Sequence, residues 1–219
     1  MIISKTPYRI SFFGGGSDFP KWFENNEGIV LSTAIDKFCY ISLRHLPPFF
    51  GYKYRIIWSQ NELCNNYKQI KHPVVQAVFG KYDIKNAYEL HHFADLPAWS
   101  GIGSSSSFSV GLLKALNNLN KINLSKFELA NRAIDIELNV LKENVGFQDQ
   151  IVASYGGFNC IKFHNKGFSV NPMKLSNVRT KILKDHLMFF FTGMRKNTSS
   201  TTKLLNQNIN SKNHELNDL

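Results

Sequence analysis

Apolar positions along this chain change their period several times, and each change marks an element. Ile2 to Phe13 is dense in β-branched and aromatic residues and predicts a strand running into a glycine-rich turn, Gly14-Gly15-Gly16-Ser17-Asp18, closed by Pro20. Over residues 28–46 apolar and polar positions partly alternate (Ile29, Leu31, Phe38, Tyr40, Ile41, Leu43), which predicts strands of an antiparallel sheet that end at Pro47-Pro48. Residues 53–58 and 88–94 read as further strands, and residues 73–82 as a short helix with proline in its first turn.

The period then lengthens. The run Trp99-Ser100-Gly101-Ile102-Gly103-Ser104-Ser105-Ser106-Ser107 leads into a helical pattern whose apolar face is Phe108, Val110, Leu112, Leu113 and Leu116. Ser125 and Glu128 form an S-x-x-E capping box at the start of a second helix. Phe127, Ala130, Ala133, Ile134, Leu138 and Leu141 trace its apolar face, and Glu137 is an acid on that face. A third, short helix starts near Gly146 and stops at Gly156-Gly157. Residues 158–163 and 168–172 flank Asn165-Lys166-Gly167 as a hairpin, and residues 187–192 form a last strand candidate. Beyond Thr202 the pattern weakens into a polar tail rich in asparagine.

Composition narrows the class. The chain has 219 residues, 43% of them hydrophobic, as expected of a soluble globular protein with one large domain or two small ones. Cys39, Cys64 and Cys160 are too sparse for a disulfide framework or a zinc site, which fits a reducing cytoplasm. The first residues lack the basic start and apolar run of a secretory signal, and no apolar run reaches membrane-spanning length, so neither export nor a membrane partner is expected. The net charge of +10 comes mostly from lysines scattered between Lys5 and Lys212, without a basic block. That pattern predicts a solvated surface with some attraction for phosphorylated small molecules, and no nucleic-acid partner.

Three segments carry candidate chemistry. Gly101 to Ser106 place small residues and a row of backbone N–H groups at a helix start, where free donors and the helix dipole attract phosphate, and serine hydroxyls can add hydrogen bonds or ligate Mg²⁺. The run is neither G-x-x-x-x-G-K-[ST] nor G-x-G-x-x-G. Asp149, in Gly146-Phe147-Gln148-Asp149-Gln150, falls in the first turn of its helix, where a carboxylate is stabilised and can orient or accept the proton of a substrate hydroxyl. Arg9 interrupts an apolar strand, and Glu137 an apolar helix face; the first is an edge-strand cation or one aimed into a site, and the second needs a partner or a metal.

Together PYRISFFGGGSDFP (residues 7–20), LPAWSGIGSSSSFSVGLLKAL (residues 96–116) and ENVGFQDQIVASYGGF (residues 143–158) resemble the two glycine-containing motifs and the catalytic-aspartate segment of the GHMP small-molecule kinases. Within that superfamily the match is nearest to D-glycero-D-manno-heptose 7-phosphate kinases: Gly15 and Gly16 stand where galactokinase-like members carry a Glu-His pair. The resemblance implies an α+β fold, with an antiparallel-rich sheet packed on helices as in RNA-associated ribosomal-protein domains. It divides the chain into an ATP-binding domain at residues 1–180 and the start of a ferredoxin-like C-terminal domain at residues 181–219.

By position, it implies that Gly101, Ile102, Gly103, Ser104, Ser105 and Ser106 cradle the phosphates of ATP, and that Ser105 and Glu137 hold Mg²⁺. Asp149 would act on the sugar hydroxyl with Arg9 stabilising charge beside it, and Gly15, Gly16, Ser17 and Asp18 would bind the sugar phosphate. Arg195 and Lys196, within residues 192–196, are candidate cations for the substrate phosphate. A kinase of the galactose, fucose or mevalonate type, or a remnant that only binds nucleotide, remains open. Family members are longer, and nothing after Thr202 matches their third motif.

Overall fold

The computed structural model describes residues 1–98 and 100–190. Among the described residues, seven strands form one sheet and six α-helices accompany it. β1 (Ile2–Phe13) pairs antiparallel with β2 (Gly28–His45), a single 18-residue strand where the alternation had suggested several. The other partners of β2 are β5 (Tyr88–Ala94), alongside residues 39–45, and β6 (Phe158–His164), alongside residues 28–33. β3 (Tyr54–Ile57) runs parallel to β5 and antiparallel to β4 (Asn61–Cys64), and β7 (Gly167–Pro172) closes the far end as the hairpin partner of β6.

Helices cover one face of the sheet: α2 (Pro73–Lys81), α3 (Ser104–Leu119), α4 (Lys126–Asp135) and α5 (Gln148–Tyr155). Ile41, Leu43, Ile56 and Leu90 from the sheet meet Val75, Val78, Phe79, Leu112 and Leu113 from α2 and α3, all fully buried. A second cluster, Phe19, Trp22, Phe23, Val30, Ile151, Val152, Ile161 and Phe163, lies under the glycine turn and α5. It includes the short helix α1 (Pro20–Phe23), which follows the turn and was not anticipated. At roughly 1.5–3 kcal/mol for each large apolar side chain buried, the two clusters fix the turn and α5 as one piece.

The inward face of β2 is Val30, Ser32, Cys39, Ile41 and Leu43, whereas Ile29 is 45% exposed; the apolar residues of β2 occupy both faces, so alternation alone could not assign the sides. The Ser125–Glu128 capping box forms as expected, but Phe127 is 50% exposed and rests on Phe168 instead of entering the core. After Asp135 the helix widens into one π turn, Ile136–Val140, which buries both Ile136 and Glu137. α6 (Asn177–Asp185) buries none of its residues, and residues 187–190 are exposed and form no strand; residues 191 and 192, with the candidate cations Arg195 and Lys196, lie outside the described residues.

Candidate active site

β1, the start of α3 and the start of α5 converge on one point. A bulge between Pro7 and Arg9 breaks the β1–β2 register just where Pro7 has no N–H to give, and such a bulge re-aims the side chains that follow it. Arg9 then forms a fork with Asp149, Nε to Oδ1 at 2.6 Å and Nη2 to Oδ2 at 2.9 Å, while Nη1 donates to the Gly101 carbonyl at 2.9 Å. Both charged groups are mostly covered yet reach solvent, with side-chain exposures of 17% and 23%. Two-pronged pairs of this kind fix direction as well as charge.

Gly103 caps α3 with φ +74°, and a Cβ there would stand 3.1 Å from Asp149 Oδ2 and 3.4 Å from Arg9 Cγ. Glycine thus supplies both the left-handed turn and the clearance for the ion pair. The first intrahelical bond runs from Ser107 N to Gly103 O, which leaves the N–H groups of Ser104, Ser105 and Ser106 directed out of the helix end. An anion seated there would sit beside Arg9 and Asp149. Ile102 does not present a side chain to that space: it is 3% exposed in the core, and its carbonyl accepts from Arg9 N, tying the loop to β1.

Glu137 is wholly buried behind the serine turn. Its Oε2 accepts from Ser106 Oγ at 2.9 Å and from Gln150 Nε2, while Oε1 has no partner among the described residues. Burial pushes its carboxyl up to about 7, against the lowering effect of Ser109, Ser106 and Gln150. The serine that hydrogen-bonds Glu137 is Ser106, while Ser105, the expected metal ligand, is exposed at the preceding position of the turn; a 100° step per residue puts neighbours on different faces. No cluster of three or more His, Cys, Asp or Glu stands together among the described residues, so a cation here would rest on Glu137, a serine hydroxyl and oxygens of a bound ligand. Gln150 as the partner of Glu137 was not anticipated, because nothing in its spacing separates it from Gln148.

The glycine turn places two further candidate residues. Asp18 is wholly buried: Oδ1 accepts from Gly16 N at 3.0 Å, Oδ2 accepts from Gln148 N at 3.1 Å, and its carbonyl accepts from Phe147 N. Burial, with the charge of Asp149, raises its carboxyl above the ordinary value, opposed by those N–H bonds. Ser17 Oγ donates to the carbonyls of Gly14 and Ile29 and accepts from Ile29 N. Both side chains are engaged in hydrogen bonds that shape the turn. Gly15 is exposed, and Gly16 lends its N–H to Asp18.

The chain is similar to known small-molecule kinases. Residues 66–157, which include the serine turn, Glu137 and Asp149, match the family described as GHMP kinases N terminal domain. The chain is 28% identical over 208 residues to a D-glycero-alpha-D-manno-heptose 7-phosphate kinase of Campylobacter jejuni, covering 89% of this chain and 60% of that protein. It is 26% identical over 167 residues to a galactokinase of Chloroflexus aurantiacus, covering 70% of this chain and 40% of that one. Among solved structures, a D-glycero-D-manno-heptose 1-phosphate kinase from Bacteriodes thetaiotaomicron superposes with a TM-score of 0.73 at 24% identity, over 93% of this chain and 72% of that one. The chain thus spans 60% of the heptose phosphate kinase and 40% of the galactokinase it resembles, and its central segment, residues 66–157, is similar to the GHMP kinase N-terminal domain.

Proposed function

We propose that the chain provides the ATP-binding part of a sugar-phosphate kinase that phosphorylates the anomeric hydroxyl of D-glycero-D-manno-heptose 7-phosphate, yielding the 1,7-bisphosphate and ADP. The observation that carries this reading is the Arg9–Asp149 fork placed against the glycine-capped start of α3. Phosphoryl transfer depends on positioning and charge neutralisation, and those are what the pair and the helix end supply.

In this reading the N–H groups of Ser104, Ser105 and Ser106 bind phosphate oxygens of ATP. Asp149, whose oxygens keep lone pairs beyond those used by Arg9, accepts the hydrogen of the sugar hydroxyl, and its proton rests on that carboxylate as the oxygen attacks. Arg9 holds Asp149 in direction and offsets negative charge at the reacting centre. The unpartnered Glu137 Oε1 suits a divalent cation, so Glu137 with Ser105 or Ser106 would hold Mg²⁺, which neutralises phosphate charge when bound. In this reading residues 1–180 are the nucleotide-binding domain; most of the expected second domain, residues 181–219, lies outside the described residues.

A coupled ADP-release assay with heptose 7-phosphate, galactose, fucose and mevalonate tests the substrate. Turnover of galactose with none of the heptose phosphate would sink the specific claim. Thermal stabilisation by MgATP with no ADP release from any of these acceptors would likewise count against it.

A further inference from the structure

Gln148 precedes Asp149 at the start of α5, and its side chain has no evident structural employment. The residue is 9% exposed, its Oε1 is buried, and that oxygen has no hydrogen-bond partner among the described residues. No hydrogen bond among those residues engages its Nε2 either, although the backbone N–H is held by Asp18. A buried carboxamide oxygen left without a partner loses its hydrogen bonds to water and gains nothing in return, so its persistence calls for a ligand.

Its position says which ligand. A Cβ built on Gly15 would meet a single neighbour within 4 Å, Gln148 Nε2 at 3.8 Å. Gly15 therefore opens a space whose back wall is the carboxamide. That space lies at the start of α5, in the same first helical turn as Asp149, and apart from Glu137, which Gln150 serves from the opposite side of the short helix. Asp18 fixes the arrangement by binding Gly16 N with one oxygen and Gln148 N with the other, so the turn and the start of α5 move as a unit.

We propose that Gln148 is a specificity-determining residue whose carboxamide hydrogen-bonds a hydroxyl of the acceptor sugar, neighbouring the hydroxyl that Asp149 engages, across the space left by Gly15. This rests on the kinase reading above. It differs from the role first expected of Asp18 and Ser17, whose polar atoms are already used within the turn. The carboxamide can both donate and accept, so it discriminates a hydroxylated acceptor from one lacking that group, in which case its own bonds stay unmade.

The test compares wild type with Gln148→Met, which keeps the length and apolar bulk of the side chain, and with Gly15→Leu, which fills the space. Acceptor and MgATP affinities are measured separately by calorimetry, with heptose 7-phosphate, its 2-deoxy analogue, galactose, fucose and mevalonate as acceptors. Gln148→Met is expected to weaken the preferred acceptor by roughly tenfold to a hundredfold, with MgATP affinity within about twofold of wild type. Gly15→Leu should abolish acceptor binding with MgATP binding retained. Equal acceptor affinity in wild type and Gln148→Met, with both folded and binding MgATP, would overturn the role of Gln148 alone. Binding of MgATP but of no acceptor by wild type would overturn the kinase reading and this role with it.

Discussion

Gly146→Ala probes the joint between the glycine turn and α5 at one atom. A Cβ on Gly146 would stand 2.0 Å from Asp18 Oδ2, 2.5 Å from its Cγ and 2.9 Å from Oδ1, far inside contact distance. The backbone at 146 is not in the left-handed region, so alanine there introduces a clash and no strain of its own. Asp18 is wholly buried and cannot swing to solvent without giving up its bonds from Gly16 N and Gln148 N. Two hydrogen bonds to a charged acceptor, at about 1.5–3 kcal/mol each, set an expected loss of about 3–6 kcal/mol. For a domain of this size each kcal/mol lowers Tm by about 2–4 °C, so the variant should melt at least ~6 °C below wild type in a calorimetric scan.

The double variant supplies the control. With Asp18→Ala in place there is no carboxylate for the new methyl to strike, so adding Gly146→Ala should change stability by no more than ~0.5 kcal/mol. Additive losses in the double variant, or a single Gly146→Ala that melts with wild type, would refute the contact and the clamp built on it.

Other substitutions test separate parts of the account. Glu137 has a carboxyl raised from 4.5 to about 7, so its contribution to stability is complete below pH 4.5 and is lost as pH rises through 7. Without metal or nucleotide, that amounts to about 3 kcal/mol across the window, and Glu137→Gln should flatten the slope in urea titrations run at several pH values; parallel slopes would count against the burial assigned to Glu137. Arg9→Lys keeps the charge but not the fork, and should lower kcat by roughly tenfold or more in the ADP-release assay. Ser125→Ala removes one side of the capping box and should cost about 1 kcal/mol by urea denaturation, with MgATP affinity unchanged.

Local signals in the sequence located most elements because each carried its own cause. β5 was bounded correctly by its apolar run and the turn residues beside it, and α4 by the reciprocal Ser125–Glu128 bonds. β4 went unseen because its buried residue is Glu62, held by Trp58 Nε1 and Lys71 N, so no apolar alternation marks it. α6 lacks a buried face, and no periodicity announced it. Within the site, the motifs singled out Arg9, Asp149 and Gly103, which the structure brings together, whereas the inward turn of Asp18 depends on Gly146 across 128 positions of sequence, which spacing cannot reveal. The exchange of Ser105 for Ser106 beside Glu137 has a similar origin, since which serine faces inward depends on where α3 begins its first turn.

The central claim is that Arg9, Asp149 and the start of α3 act as one phosphoryl-transfer site. Its most direct test is acceptor-dependent ADP release from MgATP and heptose 7-phosphate, measured for wild type and Asp149→Asn with MgATP-induced thermal stabilisation recorded for both. The account predicts turnover by wild type, a loss of about 10²–10⁴-fold in Asp149→Asn, and stabilisation by MgATP in each. Turnover by Asp149→Asn within twofold of wild type, or an absence of MgATP stabilisation in wild type, would contradict it.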